Sequence, residues 1–341
     1  MFLDALEAEV HGMPQGFAPE TVFIGGGTPT ELSDSDFERL LGIIRRGTDA
    51  RCIAEWTCES NPGTLTREKA RMMMEHGVNR VSVGVQSFDE KNLEFLGRVH
   101  SGEDAREAVD ILRDAGLANL NLDLMFGIPG SSEETLLRDL RGMIELSPAH
   151  ASCYCLTCES GTGLEDLRKQ GYVQEMSGED TRRQYQTVRK TLNDAGYSQY
   201  EISNFSRPGF QCLHNRLYWG SGQYIGIGPS AASNWRGARY ENVKSIRKYC
   251  ERLLAGHSAR SLEERLDSRA KAREALVFSL RRTDGVSTTR FFHDTGFEIE
   301  ALCGAPLEML ENEGYLEREG DRLRLTDKGL FVSDAVFSEL I

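Results

Sequence analysis

The sequence lacks a long apolar run, and this absence limits the classes of protein to which it can belong. No window approaches the length of a membrane-spanning helix, about 18 uninterrupted apolar residues. The first residues, MFLDALEAEVHGM, carry acids where a signal peptide carries a basic region, so they do not form a secretion signal. We therefore expect a cytoplasmic protein without a membrane span.

An excess of basic residues is also missing. The chain has 40 lysines and arginines against 53 acidic residues, which gives a net charge of -13. General nucleic-acid binding needs a basic surface, so the composition excludes that class of function without excluding a local basic patch. The 341 residues allow two domains, or one large domain with an appendage.

The eight cysteines do not follow the regular spacing of a small disulfide-rich domain. Three of them lie close together in CYCLTC, residues 153–158. On a strand, Cys153 and Cys155 would share one face, whereas Cys158 falls on the other face or in the loop. A metal or cluster site is one interpretation of this stretch. Packing of small apolar side chains in a buried strand is the interpretation that the sequence favours.

Short apolar or β-branched runs alternate with amphipathic, charged stretches in the first half of the chain. Strand and helix alternate with a period of about 30 residues, which predicts βαβ units and a parallel sheet. The predicted strands are 21–25, 52–58, 80–85, 120–125, 150–157 and 198–205. The predicted helices are 34–47, 67–76, 103–115, 132–146 and 180–196.

The pattern changes after residue 205. Helical patterns occupy 244–256, 262–282 and 300–312, and GYLEREGDRLRLTDKG predicts a hairpin followed by a short C-terminal helix. Helices followed by a two-stranded wing predict a winged-helix-like segment over 285–341. Acidic neighbours offset the arginines of the wing, so simple packing is favoured over DNA binding. The wing arginines are Arg318, Arg322 and Arg324.

Three glycines, Gly25 to Gly27, follow the first predicted strand and precede Thr28. Bare backbone at the end of a strand lets a ligand approach the peptide groups directly. A tight turn would explain one or two of these glycines, but three in a row favour a binding site. The segment is not a phosphate-binding P-loop, because no Gly-Lys-Ser/Thr follows it.

Polar side chains lie near the ends of the next three predicted strands, at Glu59, Gln86 and Asp123. Because the carboxyl ends of parallel strands meet at one edge of a sheet, we expect these side chains to converge there beside the glycines. A single acid near a strand end is often a cap or a loop ion pair. Three polar groups at successive strand ends predict a ligand site.

His214 opens a second unusual stretch, HNRLYWGSGQYIGIGPSAAS. A histidine beside large aromatic residues can ligate a planar cofactor, with Tyr218 and Trp219 as walls of the pocket. Most histidines are not ligands, so composition alone leaves an ordinary packing role open.

Taken together and in this order, the motifs resemble those of the radical S-adenosylmethionine proteins of the oxygen-independent coproporphyrinogen III oxidase group. The resemblance covers nearly the whole chain. Within the group, the HNRLYW stretch at 214–219 is similar to the HNxxYW signature of the HemW-like heme chaperones, and it points away from the true oxidase. The other matching motifs are GGGTPT at 25–30, ESNPG at 59–63, SVGVQSF at 82–88 and DLMFGIPG at 123–130.

The resemblance implies an α/β fold, namely a partial parallel (β/α) barrel that lacks its first strand, joined to a helical and winged-helix-like C-terminal domain. The barrel and the extension that carries HNRLYW would occupy 1–235, a helical connector 236–284, and the winged-helix-like domain 285–341.

The same resemblance implies two ligands, S-adenosyl-L-methionine and heme. His214 would ligate the heme iron. Residues at the other matched positions would contact S-adenosylmethionine: Gly26, Gly27, Thr28, Glu59, Gln86, Arg98 and Asp123.

The function implied is that of a heme chaperone, which binds heme and delivers it to an acceptor protein. The alternative within the group is an enzyme that catalyses the oxidative decarboxylation of coproporphyrinogen III. The HNRLYW stretch favours the chaperone. The sequence identifies no catalytic residue and leaves the heme acceptor and the oligomeric state open.

One family feature is missing from the sequence. The family holds a [4Fe-4S] cluster on a CxxxCxxC loop after its first barrel strand, and this chain has no such motif. Its opening residues, FLDALEAE, look like the helix after that loop. We expect either a truncated N-terminus or a naturally cluster-free paralogue. Without cluster ligands the chain as printed should not cleave S-adenosylmethionine.

Overall fold

The computed structural model describes residues 1–14, 16–48 and 51–341. They form two compact units. The first consists of Met1–Val22, Asp34–Glu55 and Cys212–Ile341, and the second of Phe23–Ser33 and Trp56–Gln211. The division into three domains that the sequence suggested stays a prediction.

The helices begin and end close to the positions that the sequence indicated in the first half of the chain, and 34–47 and 67–76 coincide with the observed helices. In chain order the helices are α1 (Phe2–His11), α2 (Asp34–Gly47), α3 (Arg67–His76), α4 (Glu90–Phe95), α5 (Gly102–Asp114), α6 (Glu133–Glu145), α7 (Gly163–Lys169), α8 (Gly178–Asp194), α9 (Leu213–Trp219), α10 (Ile246–Leu254), α11 (Ser268–Leu280), α12 (Thr288–Thr295), α13 (Ile299–Cys303), α14 (Ala305–Asn312), α15 (Asp327–Phe331) and α16 (Ser333–Leu340).

The strands form one large sheet and two small ones. In chain order they are β1 (Thr21–Ile24), β2 (Glu55–Ser60), β3 (Arg80–Gln86), β4 (Leu120–Phe126), β5 (His150–Cys155), β6 (Ser198–Gln199), β7 (Asn204–Ser206), β8 (Ala232–Trp235), β9 (Ala238–Asn242), β10 (Arg260–Glu264), β11 (Val286–Ser287), β12 (Leu316–Glu319) and β13 (Arg322–Leu325).

The large sheet has the strand order β1-β2-β3-β4-β5-β7-β6. Strands β2 to β5 pair in parallel, and β7 pairs antiparallel with both β5 and β6. The mostly parallel sheet with intervening helices confirms the α/β class. The predicted strand at 198–205 is in fact two short strands, because the chain turns back between Gln199 and Asn204.

The two faces of the parallel strands differ in chemistry. One face carries buried aliphatic residues such as Val81, Val83, Leu122 and Leu124, and the helices α5, α6 and α8 pack against these strands. The register aligns polar residues on the alternate positions of neighbouring strands. We call these positions the polar face; they are Thr57, Glu59, Arg80, Ser82, Asn121, Asp123, His150 and Ser152. Parallel sheets usually bury aliphatic residues on both faces, so this face serves another purpose.

Local capping explains where the helices begin and end. The hydroxyl of Thr66 accepts a hydrogen bond from the Lys69 N–H at the start of α3, and Gly77, at φ +100°, ends that helix. Ser132 caps α6 by accepting from the N–H of Thr135.

Two helix predictions in the second half of the chain were wrong. Residues 262–282 do not form one helix, because Arg260–Glu264 pairs antiparallel with β9 and α11 begins only at Ser268. Residues 300–312 contain two helices, since Gly304, at φ +56°, interrupts them. The sequence also gave no indication of the sheet β10-β9-β8.

The C-terminal segment contains the predicted hairpin, β12 and β13, together with a third strand, β11, that was not predicted. Every arginine of the wing is paired with acids, which neutralises it and agrees with a packing role. The pairs are Arg318 with Glu300 and Glu311, Arg322 with Asp284, and Arg324 with Glu317 and Glu319.

Across the described ranges, none of the helices is both long enough and apolar enough to cross a membrane. The cytoplasmic location stays a prediction.

Candidate functional site

The backbone of the glycine stretch after β1 contacts the carboxyl group of Glu59. The N–H of Gly26 donates a hydrogen bond of 3.2 Å to Glu59 Oε2. A Cβ atom on Gly25 would lie 2.6 Å from the Glu59 carboxyl carbon and 2.7 Å from the Phe23 ring, so only glycine lets the carboxyl approach. Gly26 has φ +82°, which glycine adopts without strain. Gly27 has no atom within 4 Å of its would-be Cβ, so its backbone borders open space.

Glu59 is a carboxyl group with an unusual proton affinity. Burial and, second, the negative charge of Asp123 raise its pKa from the usual 4.5 to about 7, while the Gly26 N–H acts in the opposite direction. The two acids that were predicted to converge therefore lie within electrostatic reach of each other. A carboxyl that titrates near neutral pH at a strand end is typical of a ligand-binding or catalytic site.

The ends of β2 and β3 converge beside Gly84. A Cβ on Gly84 would lie 2.9 Å from Asn61 Oδ1 and 3.1 Å from Gln86 Nε2. The Asn61 amide also donates to the hydroxyl of Thr28 at 2.8 Å, which fixes the segment after the glycines. Sequence reasoning had not assigned roles to Asn61 and Gly84, although both lie in quoted motifs.

Gln86 has a strained backbone. Its φ is +65°, in the left-handed region that non-glycine residues seldom adopt. Such conformations concentrate at functional sites, because the surrounding structure has to hold them in place. The geometry supports a binding role for the Gln86 side chain.

Asp123 is half-buried on the polar face among hydrogen-bond donors. Asn121 Nδ2 donates to its Oδ1 at 2.8 Å, and Ser82 Oγ donates to its Oδ2 at 3.2 Å. Burial raises its pKa, and hydrogen bonds from Asn121, Ser152 and Ser82 oppose that effect. A period-2 alternation of polar residues in the strands, readable from the sequence, could have revealed this network.

Arg98 was predicted to join the same site. It follows α4 in a connecting segment and is half-exposed. In the part of the chain that the structure describes, no hydrogen bond or ion pair links its guanidinium to the other predicted residues. Its role stays a prediction.

His214 lies in the first unit, in the seven-residue helix α9. The helix has no side-chain cap of its own. Instead the carboxylate of Glu55, which is 5% exposed, accepts from the Leu213 N–H at 3.0 Å, the His214 N–H at 3.1 Å and the Cys212 thiol at 3.3 Å. Glu55 precedes α9 by more than 150 residues, so no local pattern could have identified this cap.

The His214 ring is oriented by the strand β1 and by aromatic neighbours. Its Nδ1 lies 2.8 Å from the Thr21 hydroxyl, and its ring centroid lies 5.0 Å from that of Tyr218. Tyr218 in turn lies 4.3 Å from Tyr224. With Thr21 accepting from Nδ1–H, an iron ligand would use Nε2.

Two further N–H groups, one at the end of the HNRLYW stretch and one in the segment after α11, are buried. Trp219 Nε1 and Arg281 Nε have no hydrogen-bond partner among the described residues. The Arg281 guanidinium lies 4.4 Å above the Trp219 ring. Buried donors without an acceptor are uncommon in native proteins and indicate water or a ligand.

The cysteines do not assemble a metal site. In the described residues, no group of three or more His, Cys, Asp or Glu side chains is arranged to hold a metal ion. Cys153 is buried and burial raises its pKa, which disfavours the thiolate that a cluster needs. Burial likewise raises the pKa of Cys155 to about 11.

Comparisons with known proteins identify the family of the chain. The Radical SAM superfamily matches residues 3–141, and the HemN C-terminal domain matches residues 266–332. The heme chaperone HemW of Bacillus subtilis is 33% identical over 345 residues, covering 100% of this chain and 91% of that protein. The HemW of Lactococcus lactis is 33% identical, covering 94% of this chain and 84% of its own.

The chain belongs to the HemW family of radical SAM proteins. The HemW of Escherichia coli is a further relative, 35% identical over 92% of this chain and 82% of its own. The structure of coproporphyrinogen III oxidase (HemN) from Escherichia coli resembles this HemW-family chain with a TM-score of 0.84 and 21% identity. It covers 99% of this chain and 82% of the oxidase, and shows the fold alone.

A pair of glycine variants in this HemW-family protein separates structure from ligand access. Gly25→Ala places a methyl group against Glu59 and Phe23 and should cost about 1–3 kcal/mol of stability. Gly27→Ala meets open space, so its stability should change by less than about 0.5 kcal/mol. Its affinity for the S-adenosylmethionine that the sequence resemblance implies should fall, because the methyl blocks approach to the backbone. Urea unfolding measures the stability of each variant, and calorimetric titration measures its affinity for S-adenosylmethionine. Equal losses of stability in the two variants would contradict this account.

Proposed function

We propose that this protein binds heme through His214 and passes it to an acceptor protein. The observation that carries this proposal is the helix α9, in which Glu55 and Thr21 fix the position and ring orientation of His214. The relatives named heme chaperones support the same function for this chain.

The residues around His214 suit an iron porphyrin as cargo. An imidazole is a common ligand of heme iron, and the aromatic rings of Tyr218 and Tyr224 offer apolar surface to a planar molecule. The N–H groups of Trp219 and Arg281 that lack partners among the described residues are donors suited to a carboxylate, such as a heme propionate.

We also propose that the glycine stretch and the neighbouring strand ends bind S-adenosyl-L-methionine. The open backbone at Gly27 suits close approach of the amino-acid group, and the carboxyl of Glu59 suits an ammonium. Amide and carboxyl groups at Gln86 and Asp123 suit hydroxyl groups of a nucleoside.

The residues present do not fit a [4Fe-4S] cluster. The sequence has no CxxxCxxC motif, and the buried Cys153 favours the protonated thiol. We therefore derive no reductive step, and propose only binding and positioning of the two ligands by this chain.

Replacing His214 tests the heme proposal. Wild-type protein titrated with hemin should develop a Soret band, and His214→Ala should weaken hemin binding by at least about tenfold, because the iron loses its protein ligand. His293→Ala is the matched control, since His293 is an exposed histidine in α12 whose Nδ1 lies 2.9 Å from a carboxylate oxygen of Asp294. Retention of the Soret band with wild-type affinity in His214→Ala would refute the assignment.

A further inference from the structure

The hydrogen bonds on the polar face form a directed chain that ends on Asp123. Asn121 Nδ2 donates to Asp123 Oδ1 at 2.8 Å and to Ser82 Oγ at 2.7 Å. The other end of the same amide, Oδ1, lies 2.6 Å from His150 Nδ1 and accepts from Ser152 Oγ at 3.0 Å. A flipped amide would set its oxygen against the carboxylate, so one orientation is favoured.

The orientation of the amide determines the tautomer of His150. Because Asn121 Oδ1 can only accept, Nδ1 of His150 carries the proton. Nε2 of the same ring lies 2.8 Å from the hydroxyl of Tyr200 and accepts from it. His150 is completely buried, and burial, then the nearby charge of Arg80, lowers its pKa well below the usual value, so it stays neutral.

We propose that Asn121 is a positioning residue for Asp123, and that His150 and Tyr200 lock its amide in the donating orientation. The inference rests on the proposed binding of S-adenosylmethionine, in which Asp123 contacts the ligand. The chain from the Tyr200 hydroxyl through His150 and Asn121 aims a fixed N–H at one carboxylate oxygen, while Ser82 holds the other. The carboxylate then needs no rearrangement when a ligand arrives.

The surroundings of Asp123 explain why such support is needed. Partial burial disfavours the ionised form of the Asp123 carboxyl, and without hydrogen-bond donors that charge would be still less favourable. The charge of Arg80 favours the ionised form, and among the described residues its guanidinium makes one long hydrogen bond, 3.5 Å, to the Thr57 hydroxyl. Ser152 also donates to Asn204, whose amide donates to the buried Glu201. The titratable or charged groups around Asp123 and its network are therefore Glu59, Arg80, His150, Cys153, Tyr154 and Glu201.

Tyr200→Phe tests the lock with a minimal change. It removes the donor to His150 Nε2, so the other tautomer and the flipped amide become accessible, and Asp123 loses an N–H. S-adenosyl-L-homocysteine affinity should fall about tenfold, and the pH at which binding is half-maximal should rise. Tyr197→Phe is the matched control, because the Tyr197 hydroxyl is also buried but donates to the carbonyl of Pro148, outside the network.

The affinity for S-adenosyl-L-homocysteine is measured by calorimetric titration between pH 5 and 8 for the wild type, Tyr200→Phe and Tyr197→Phe. The measurement has to resolve an affinity change of about tenfold. A merely structural role for Tyr200 would lower stability and leave the affinity and pH profile as in Tyr197→Phe, which would overturn the proposal. Asn121→Leu, which has no amide, should give a larger loss in the same direction.

Nuclear magnetic resonance decides the network independently of any ligand. Long-range proton–nitrogen spectra of the wild type should show His150 as the neutral Nδ1–H tautomer, and Tyr200→Phe should introduce the other tautomer. The midpoint of the Asp123 titration, followed at its carboxyl carbon, should move to higher pH in Tyr200→Phe. A wild-type Nε2–H tautomer, or an Asp123 titration that does not move, would overturn the proposal. If the wild type binds no S-adenosyl-L-homocysteine, the proposed ligand is wrong, and these spectra still decide the network.

Discussion

Glu59→Gln is expected to stabilise the protein at alkaline pH while weakening ligand binding. Burial and the charge of Asp123 raise the pKa of Glu59 from 4.5 to about 7, which corresponds to about 3 kcal/mol. Between these two pH values the folded protein keeps a proton on Glu59 that the unfolded chain releases. The wild type therefore loses stability as pH rises through 7, and this contribution is fully present only below pH 4.5.

The measurement is urea unfolding of the wild type and Glu59→Gln at pH 4.5 and pH 8. The variant should match the wild type at the lower pH and exceed it by up to about 3 kcal/mol at the higher. Glu94 is exposed, so Glu94→Gln is the control. The difference in its stability between the two pH values should equal that of the wild type. S-adenosylmethionine affinity of Glu59→Gln should fall by about tenfold to a hundredfold, because a charged acceptor is lost. A stability difference that does not change with pH would contradict the argument.

Glu55→Ala is expected to disturb heme binding although Glu55 is not proposed to touch heme. The carboxylate accepts from three donors at the start of α9, and it is almost completely buried. Removing it takes away the shared acceptor and leaves a cavity, which should cost about 2–4 kcal/mol. A helix of seven residues has no further turns to compensate, so His214 should lose its fixed position.

Hemin titration and urea unfolding of Glu55→Ala and Glu55→Gln measure this effect. The glutamine retains one acceptor oxygen and nearly the same volume, so it should recover much of the stability and part of the hemin affinity. Wild-type hemin affinity in Glu55→Ala would show that the cap does not position His214.

The sequence could predict the parallel sheet because each of its elements is specified locally. The helices at 34–47 and 67–76 combine an amphipathic period with polar starts, and Gly77 ends the second one. Glu59, Gln86 and Asp123 could be grouped because strand ends of a parallel sheet share one edge. The charge of Asp123, which raises the pKa of Glu59, agrees with grouping these two acids.

The remaining parts depend on contacts distant in sequence. Residues 262–264 belong to the helix predicted at 262–282, but their pairing with β9 overrides that pattern. The hydrogen bonds from Asn121 to Asp123 and His150, and the cap that Glu55 gives to α9, connect elements that no local window contains together. The bond between Gly26 and Glu59 likewise joins two strand ends that only the folded sheet brings together.

The separation of polar and aliphatic residues between the two faces of the parallel strands has a consequence for how such proteins diversify. The packing of the sheet against the helices depends on one set of alternate strand positions, represented by Val83 and Leu122. Glu59 and Asp123 occupy the other set. Substitutions in the second set can change small-molecule specificity without disturbing the aliphatic packing against the helices. A single scaffold of this kind can therefore acquire new chemistry without being rebuilt.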